Sequence, residues 1–255
     1  MNNVVALRRT PKLAEPEQVS AIVVAGSGGA AATTTTYGLA TALRVGSGVG
    51  VAAVDGTSDG GNLLERVGVE AIGPDRVIRQ LESSMAVSTA GVVVVGHGAA
   101  TSSSLLVDGL LADRQFARVH DVGLALRSPR MKPLIEAGSG IVVVAPARSE
   151  PLSRTRSALE WLVNTYGRDV LSRTVITISH QMPQRLVDLT AIREALEPIT
   201  AGVVEVPFDE VLARPGSLNH TTLSVGVMDA WTDVLDALDR VPAAGEDAMQ
   251  TGELA

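Results

Sequence analysis

Seven short runs of apolar, β-branched residues recur along the chain and limit its fold more than any other feature. They are AIVVA at 21–25, VGVAAVD at 49–55, GVVVVG at 91–96, ARVHDV at 117–122, GIVVVA at 140–145, TVITIS at 174–179 and GVVEVP at 202–207. Their apolarity is close to unbroken instead of alternating, which predicts strands covered on both faces. The stretches between them are long enough for helices, with candidates at 34–44, 104–113, 152–166, 189–196 and 225–240. In the last, Val227, Trp231, Val234, Leu235 and Leu238 recur at helical spacing. Strand and helix in alternation predict an α/β fold, a doubly wound, mostly parallel sheet of about seven strands with helices on both faces. For 255 residues, one domain over 18–240 is the economical reading. The charged, proline-bearing start at 1–17 reads as a flexible arm, and 241–255, with Glu246, Asp247 and Glu253, as a flexible acidic tail.

Composition removes several classes of function. Lys and Arg number 21 against 28 Asp and Glu, and a net charge of −7 argues against nucleic acid as a partner. Two Trp, two Tyr and two Phe leave little material for a base-stacking platform. With no cysteine there is no disulfide, thiolate zinc site, iron–sulfur cluster or thiol nucleophile. His97, His120, His180 and His220 lack the H-E-x-x-H spacing of a metal site, and no G-x-S-x-G elbow accompanies the serines after His97. No apolar run approaches the ~20 residues of a membrane span. No basic residue follows Arg240 to build an amphipathic anchor, so a cytoplasmic protein without membrane attachment is expected. Asp108 and Asp113, within the helical candidate 104–113, read as solvated.

In such a sheet a ligand sits beyond the carboxyl ends of the strands, and the first strand runs straight into GSGGAAAT at 26–33. Small residues let a phosphate approach the backbone, and amides at the N-terminus of the following helix favour an anion. On local spacing two nucleotide readings stay open. As G-x-G-x-x-A, with Asp55 closing the second strand, the loop is a dinucleotide fingerprint whose acid receives a ribose hydroxyl, as in an NAD(P)-dependent oxidoreductase. As G-x-x-x-x-G-K-T, it keeps Gly26 and Thr33 but has Ala31 for the second glycine and Ala32 for the lysine. The hydroxyls of Thr34, Thr35 and Thr36 read as N-terminal caps of the first long helix. The only lysines in the chain are Lys12 and Lys132, and neither lies in this segment.

The segments VVAGSGGAAATTTTYGLATAL and VAAVDGTSDGGNL, then VHDVGLAL, IVVVAPARSEPLSRTRSALEWL, VITISHQMPQ and VVEVPFDEVLARPGSL, follow one another over roughly 20–240. In order and spacing this series resembles the MinD/ParA family of P-loop ATPases with the deviant Walker A loop, most of all the MinD-like proteins associated with actinobacterial type VII secretion. The resemblance implies a P-loop NTPase-like domain that binds ATP and magnesium. Gly26, Gly28, Gly29, Ala32, Thr33 and Thr34 stand at the family's phosphate loop, and Thr33 and Asp121 at its magnesium positions. Asp55 matches the first acid of the acidic loop. Ser179 and Pro207, with His180 and Phe208, fall on the adenine side. Ser27 stands where the family has its signature lysine, which reaches a partner's nucleotide across a dimer, and Ala32 where the loop lysine meets the phosphates. Thr57 replaces the second acid of D-x-D, which orients the attacking water, with Asp59 close by. The Asn-Arg pair after the sixth strand is absent. Arg127, Arg130 and Arg148 follow strand ends and read as solvated surface. Together these departures imply a degenerate ATPase homologue with weak or no ATP hydrolysis and no intact catalytic residue. Its role would be regulatory or scaffolding, through protein partners of a secretion or polar-positioning machinery, and any homodimer would not be nucleotide-driven. An active ATPase with a rewired phosphate loop is the alternative.

Overall fold

All seven apolar runs form strands, and the computed structural model adds an eighth. It describes residue 15 and residues 18–57, 63–69, 85–96, 104–184 and 187–240. The arm at 1–17 apart from Glu15, the tail at 241–255, His97 and Asp59 lie outside the described residues. In chain order the strands are β1 (Ser20–Ala25), β2 (Val51–Asp55), β3 (Met85–Val87), β4 (Val93–Val95), β5 (Ala117–Asp121), β6 (Gly140–Pro146), β7 (Thr174–Ser179) and β8 (Gly202–Val206). They form one sheet in the order β3-β4-β2-β5-β1-β6-β7-β8. Every pair is parallel except β3 with β4. The antiparallel β3 is the unanticipated strand: it is three residues long, and Val87 is 48% exposed.

Helices cover both faces, as the unbroken apolarity of the strands requires. Those used below are α1 (Ala32–Ser47), α2 (Leu63–Val67), α3 (Ser104–Ala112), α4 (Lys132–Glu136), α5 (Ser149–Tyr166), α6 (Thr190–Leu196), α7 (Glu210–Ala213) and α8 (Val225–Asp239). Alternation along β1 sends Val23 into one core, with Leu39 and Leu43 of α1 and Trp231 of α8. Ile22 and Val24 enter the other, with Ile135 of α4 and Leu162 of α5. Helices α1 and α8 approach closely because Gly38 has no side chain: a Cβ there would lie 2.3–2.5 Å from ring atoms of Trp231.

Beside α3 the expectation of a solvated Asp108 is overturned. Arg118 and His120 occupy alternate positions of β5 on the face that α3 covers, and Asp108 of α3 meets both. His120 Nε2 lies 2.8 Å from Asp108 Oδ1, and Arg118 Nε and Nη2 donate to its two oxygens at 3.3 Å. Ser20 Oγ donates to Asp108 at 2.9 Å and lies 2.9 Å from Ser139 Oγ. Burial works against the charge of Asp108, but the hydrogen bonds and charges of His120 and Arg118 outweigh it and hold the carboxyl well below its ordinary range. Asp113 is exposed, as read.

Candidate functional site

The chain leaves β1 between its two neighbours, where connections depart to opposite sides of the sheet. Ala25 N donates to Gly123 O, just past β5, at 2.7 Å, and Gly26 N to Val144 O of β6 at 2.8 Å. Gly26 is required there, because a Cβ would sit 2.5 Å from Thr155 Oγ1. Gly28 faces open space, and Gly29 turns the chain at φ +70°. Ala31 then takes φ 69° and ψ 30°, a left-handed conformation that suits glycine. Ala31 is also the N-cap of α1 and has no side-chain oxygen to offer, so the helix has no side-chain cap. The expected capping by Thr34, Thr35 and Thr36 is therefore not what the structure shows. All three lie inside the helix, and the Thr36 hydroxyl has no hydrogen-bond partner. Ser27 is 7% exposed, and its hydroxyl is likewise buried without a partner.

Two cavities flank the loop, and Gly29 and Ala31 line both. One, of about 310 Å³, is bounded by Ser27, Gly28, Ala32, Thr33, Thr57 and Gly123. The other, of about 370 Å³, is bounded by Thr34, Arg148, Ser179, Gln181, Asp209 and Trp231 among others. Gln181 Nε2 donates to Gly29 O at 2.6 Å and so links the end of β7 to the loop. Pro207 and Phe208 are elsewhere, in a groove of about 990 Å³ along β8 that also holds Arg193 and Glu205; His180 lines both this groove and the 370 Å³ cavity. Of the two adenine-side residues, Ser179 shares a cavity with the loop and Pro207 does not.

The acids lie side by side at the strand ends, since Asp55 and Asp121 are register partners of β2 and β5. Three of their four carboxylate oxygens accept hydrogen bonds from the chain itself. Asp55 Oδ1 accepts from Thr57 N at 3.1 Å and Thr57 Oγ1 at 2.7 Å, and Oδ2 accepts from Leu63 N at the start of α2 at 3.1 Å. Asp121 Oδ1 accepts from Gly123 N at 3.0 Å. The structure thus brings Thr33 and Thr57 into one cavity, with Asp55 and Asp121 buried at its margin. No lysine or arginine lines that cavity among the described residues. Lys132 lies on α4 and pairs with Glu136 at 3.6 Å.

Sequence reasoning missed Arg66. Its Nε donates to Thr34 Oγ1 at 2.9 Å, while Nη1 and Nη2 reach the carbonyls of Gly216 (2.7 Å), Leu212 (3.0 Å) and Arg214 (3.1 Å). Burial lowers its pKa from the usual arginine value. It clamps α2 to α1 and to the end of α7, about 150 residues later in the chain, and no local pattern reports such a contact. Asp209 caps α7 through Val211 N at 2.7 Å and also accepts from Ser224 N at 2.9 Å. Burial opposes its charge, but the amides of Ser224, Val211 and Leu212 prevail and keep its carboxyl below the ordinary range.

A mostly parallel sheet with a glycine-rich turn between its first strand and first helix, placed where the strand order reverses, is the layout of a nucleotide-binding α/β protein. Within that class the solved structures narrow the fold further. No protein-family model and no curated protein matches the chain. A ParA family ATPase from Chlorobium tepidum TLS matches at 14% identity with a TM-score of 0.60, over 86% of this chain and 98% of that one. A chain of the MinC:MinD cell division complex of Aquifex aeolicus matches at 15% and 0.59, over 86% and 96%. The septum site-determining protein MinD of Pyrococcus horikoshii OT3, complexed with Mg-ADP, matches at 17% and 0.59, over 87% and 96%. At such identities the likeness is one of fold, and the fold is MinD/ParA-like. No helix among the described residues is long and apolar enough to cross a membrane.

Proposed function

We propose that this protein is a MinD/ParA-like homologue with weak or no ATP hydrolysis, acting as a regulatory or scaffolding partner of other proteins. The observation that carries this reading is the absence of any lysine or arginine from the described lining of the cavity formed by the loop. Phosphoryl transfer relies on positioning and on cations that neutralise phosphate oxygens. A unit charge about 3 Å from a phosphate charge contributes on the order of 5 kcal/mol at an effective dielectric near 20, before desolvation is subtracted. The residues present do not fit a metal-bound triphosphate. Asp55 already accepts three hydrogen bonds from Thr57 and Leu63, a threonine stands at the water-orienting position, and the hydroxyl at position 27 is buried. What the loop retains is a cradle of small residues and helix amides.

MinD of Aquifex aeolicus is found in complex with MinC, and a protein partner is the analogous reading for this chain. The resemblance of its sequence segments to MinD-like proteins of type VII secretion is the ground for a link to such a machinery or to spatial positioning. A homodimer, where one forms, is independent of nucleotide, because Ser27 cannot reach a phosphate across an interface. The test is phosphate release and calorimetry with ATP and magnesium on the wild type and on Ser27→Lys/Ala31→Gly/Ala32→Lys. The wild type should turn over little or no ATP and the triple variant should bind it at least tenfold more tightly. Turnover by the wild type as fast as that of the triple variant or faster identifies an active ATPase with a rewired loop instead.

A further inference from the structure

Charge is divided unevenly over the molecule. Residues 122–173 carry eight Arg or Lys against four Asp or Glu, in a chain whose totals are 21 against 28. The helices of that stretch form one layer: the turn Ala125–Arg127, α4 and α5 pack on a single core through Leu126, Leu134, Ile135, Leu159 and Leu162. The outer face of the layer is built around an aromatic pair. Trp161 and Tyr166 meet edge to face with ring centroids 5.8 Å apart, and neither is fully buried. Arg127, expected as solvated surface, is exposed but holds its guanidinium 5.9 Å from the Trp161 ring centroid. It makes no hydrogen bond or ion pair among the described residues. Partial burial raises the Tyr166 pKa and the charge of Glu136 adds to the shift, which puts α4 beside the end of α5.

Trp, Tyr and Arg are the side chains that most often carry the binding energy of protein interfaces, because they offer a large, rigid contact area with a polar end. Here one of each is in contact on an outer helix face, in a chain with only two Trp and two Tyr. Arg154 precedes Trp161 by two turns of α5, so it lies on the same side of the helix, and it is exposed. We propose that this face of α4 and α5, centred on Trp161, docks an acidic segment of a partner protein. Trp161 and Tyr166 are the apolar anchors, and Arg127 and Arg154 face the partner's carboxylates. Glu136 and Glu160, paired with Lys132 and Arg156 on their own helices, interrupt the positive field. An unbroken phosphate backbone would meet those acids, whereas separate carboxylates can avoid them. The surface gives the partner of the proposed function a place and a charge. It is distinct from the loop, since Trp161 lines none of the three cavities.

The experiment is fluorescence anisotropy on the full chain with a labelled twelve-residue peptide in which Glu, Asp and Leu repeat. The same peptide with Gln and Asn for its acids, a version with Lys for its acids, and a single-stranded oligonucleotide of equal length are titrated beside it. The acidic peptide should bind most tightly and should weaken as salt rises. Trp161→Ala and Arg127→Ala should each weaken it by roughly tenfold or more, and Trp161→Phe, which keeps a ring, by less. Arg214→Ala removes the same charge from an exposed side chain of the α7 end, 72% accessible, and should leave the affinity within about twofold. Arg127 is exposed and unpaired, so Arg127→Ala reads the surface even if Trp161→Ala does not fold. Absence of binding by the acidic peptide, equal losses in Arg127→Ala and Arg214→Ala, or tighter binding of the oligonucleotide would overturn the proposal. Fast ATP turnover by the wild type removes the proposed function and leaves this surface standing, whereas a peptide that does not bind, without such turnover, removes this inference alone.

Discussion

Two polar clusters hang on β5 and are finished in opposite ways. On the face covered by α3, Arg118, His120 and Ser20 all meet Asp108 within 2.8–3.3 Å. At the carboxyl end, where Asp121 lies beside the loop, the loop and α1 carry buried hydroxyls at Ser27 and Thr36 without partners, and α1 begins without a side-chain cap. A closed network holds elements together and gains nothing from a further molecule. An open one beside a cavity leaves donors that only water or a ligand can meet. The chemistry of the residue types does not separate the two, since the structural cluster is the more highly charged. Completion separates them.

That contrast can be broken by mutation. The largest expected effect is at the closed cluster: Asp108→Ala leaves Arg118 and His120 buried without their acid and should cost roughly 3–5 kcal/mol in denaturant unfolding. The pH dependence has a definite sign. Because the folded state holds the Asp108 carboxyl below its unfolded value, its stabilisation is complete above the ordinary carboxylate range and fades as pH falls below about 4, so the gap between wild type and variant should narrow on acidification. A gap that stays constant down to low pH would contradict a closed ionic network.

Next in size is Gly38→Ala, which drives a methyl into the Trp231 ring and should cost about 1–3 kcal/mol. It should also abolish whatever the cavity lined by Trp231 binds, whereas Asp108→Ala, measured where the protein is still folded, should leave that binding intact. Equal loss of binding in both variants would erase the distinction between the clusters. The smallest effect is expected at the loop, where Ala31→Gly relieves a left-handed alanine and should stabilise the protein by about 0.5–1 kcal/mol. Thermal unfolding checks the sign: a lower midpoint would mean that the loop is not strained at that position.

The parallel strands were legible because burial on both faces writes itself as continuous Val, Ile and Ala. The edge strand β3 was not, being only three residues long with its last residue exposed. Asp121 and Asp55 were legible for a related reason, as acids closing apolar strands. The role of Asp108 was misread because a single aspartate on a short helix looks like a surface residue. The available signal lay in β5 itself, where Arg118 and His120 interrupt an apolar strand at alternate positions and so demand a polar partner on one face. Arg66 could not have been found, because its acceptors at 212–216 are brought to it only by the completed sheet. The same holds for Ser179 and Pro207, close in space to adjacent strand ends but assigned to different cavities by the direction each segment takes after its strand.

The sheet order has a consequence for synthesis on the ribosome. β1 is the earliest strand to emerge, yet its hydrogen-bonding neighbours are β5 and β6, with Ser20 paired to Arg118 and Ala21 to Gly140. At about 5–20 residues per second, a delay of roughly 5–20 s separates the appearance of this strand from that of its first neighbour. Throughout that interval the sequence SAIVVA has both edges unsatisfied. The nascent chain is thus most exposed to mispairing at the strand that finally becomes its best-protected one, and slowing translation after residue 25 should reduce the yield of folded protein more than slowing it after residue 146.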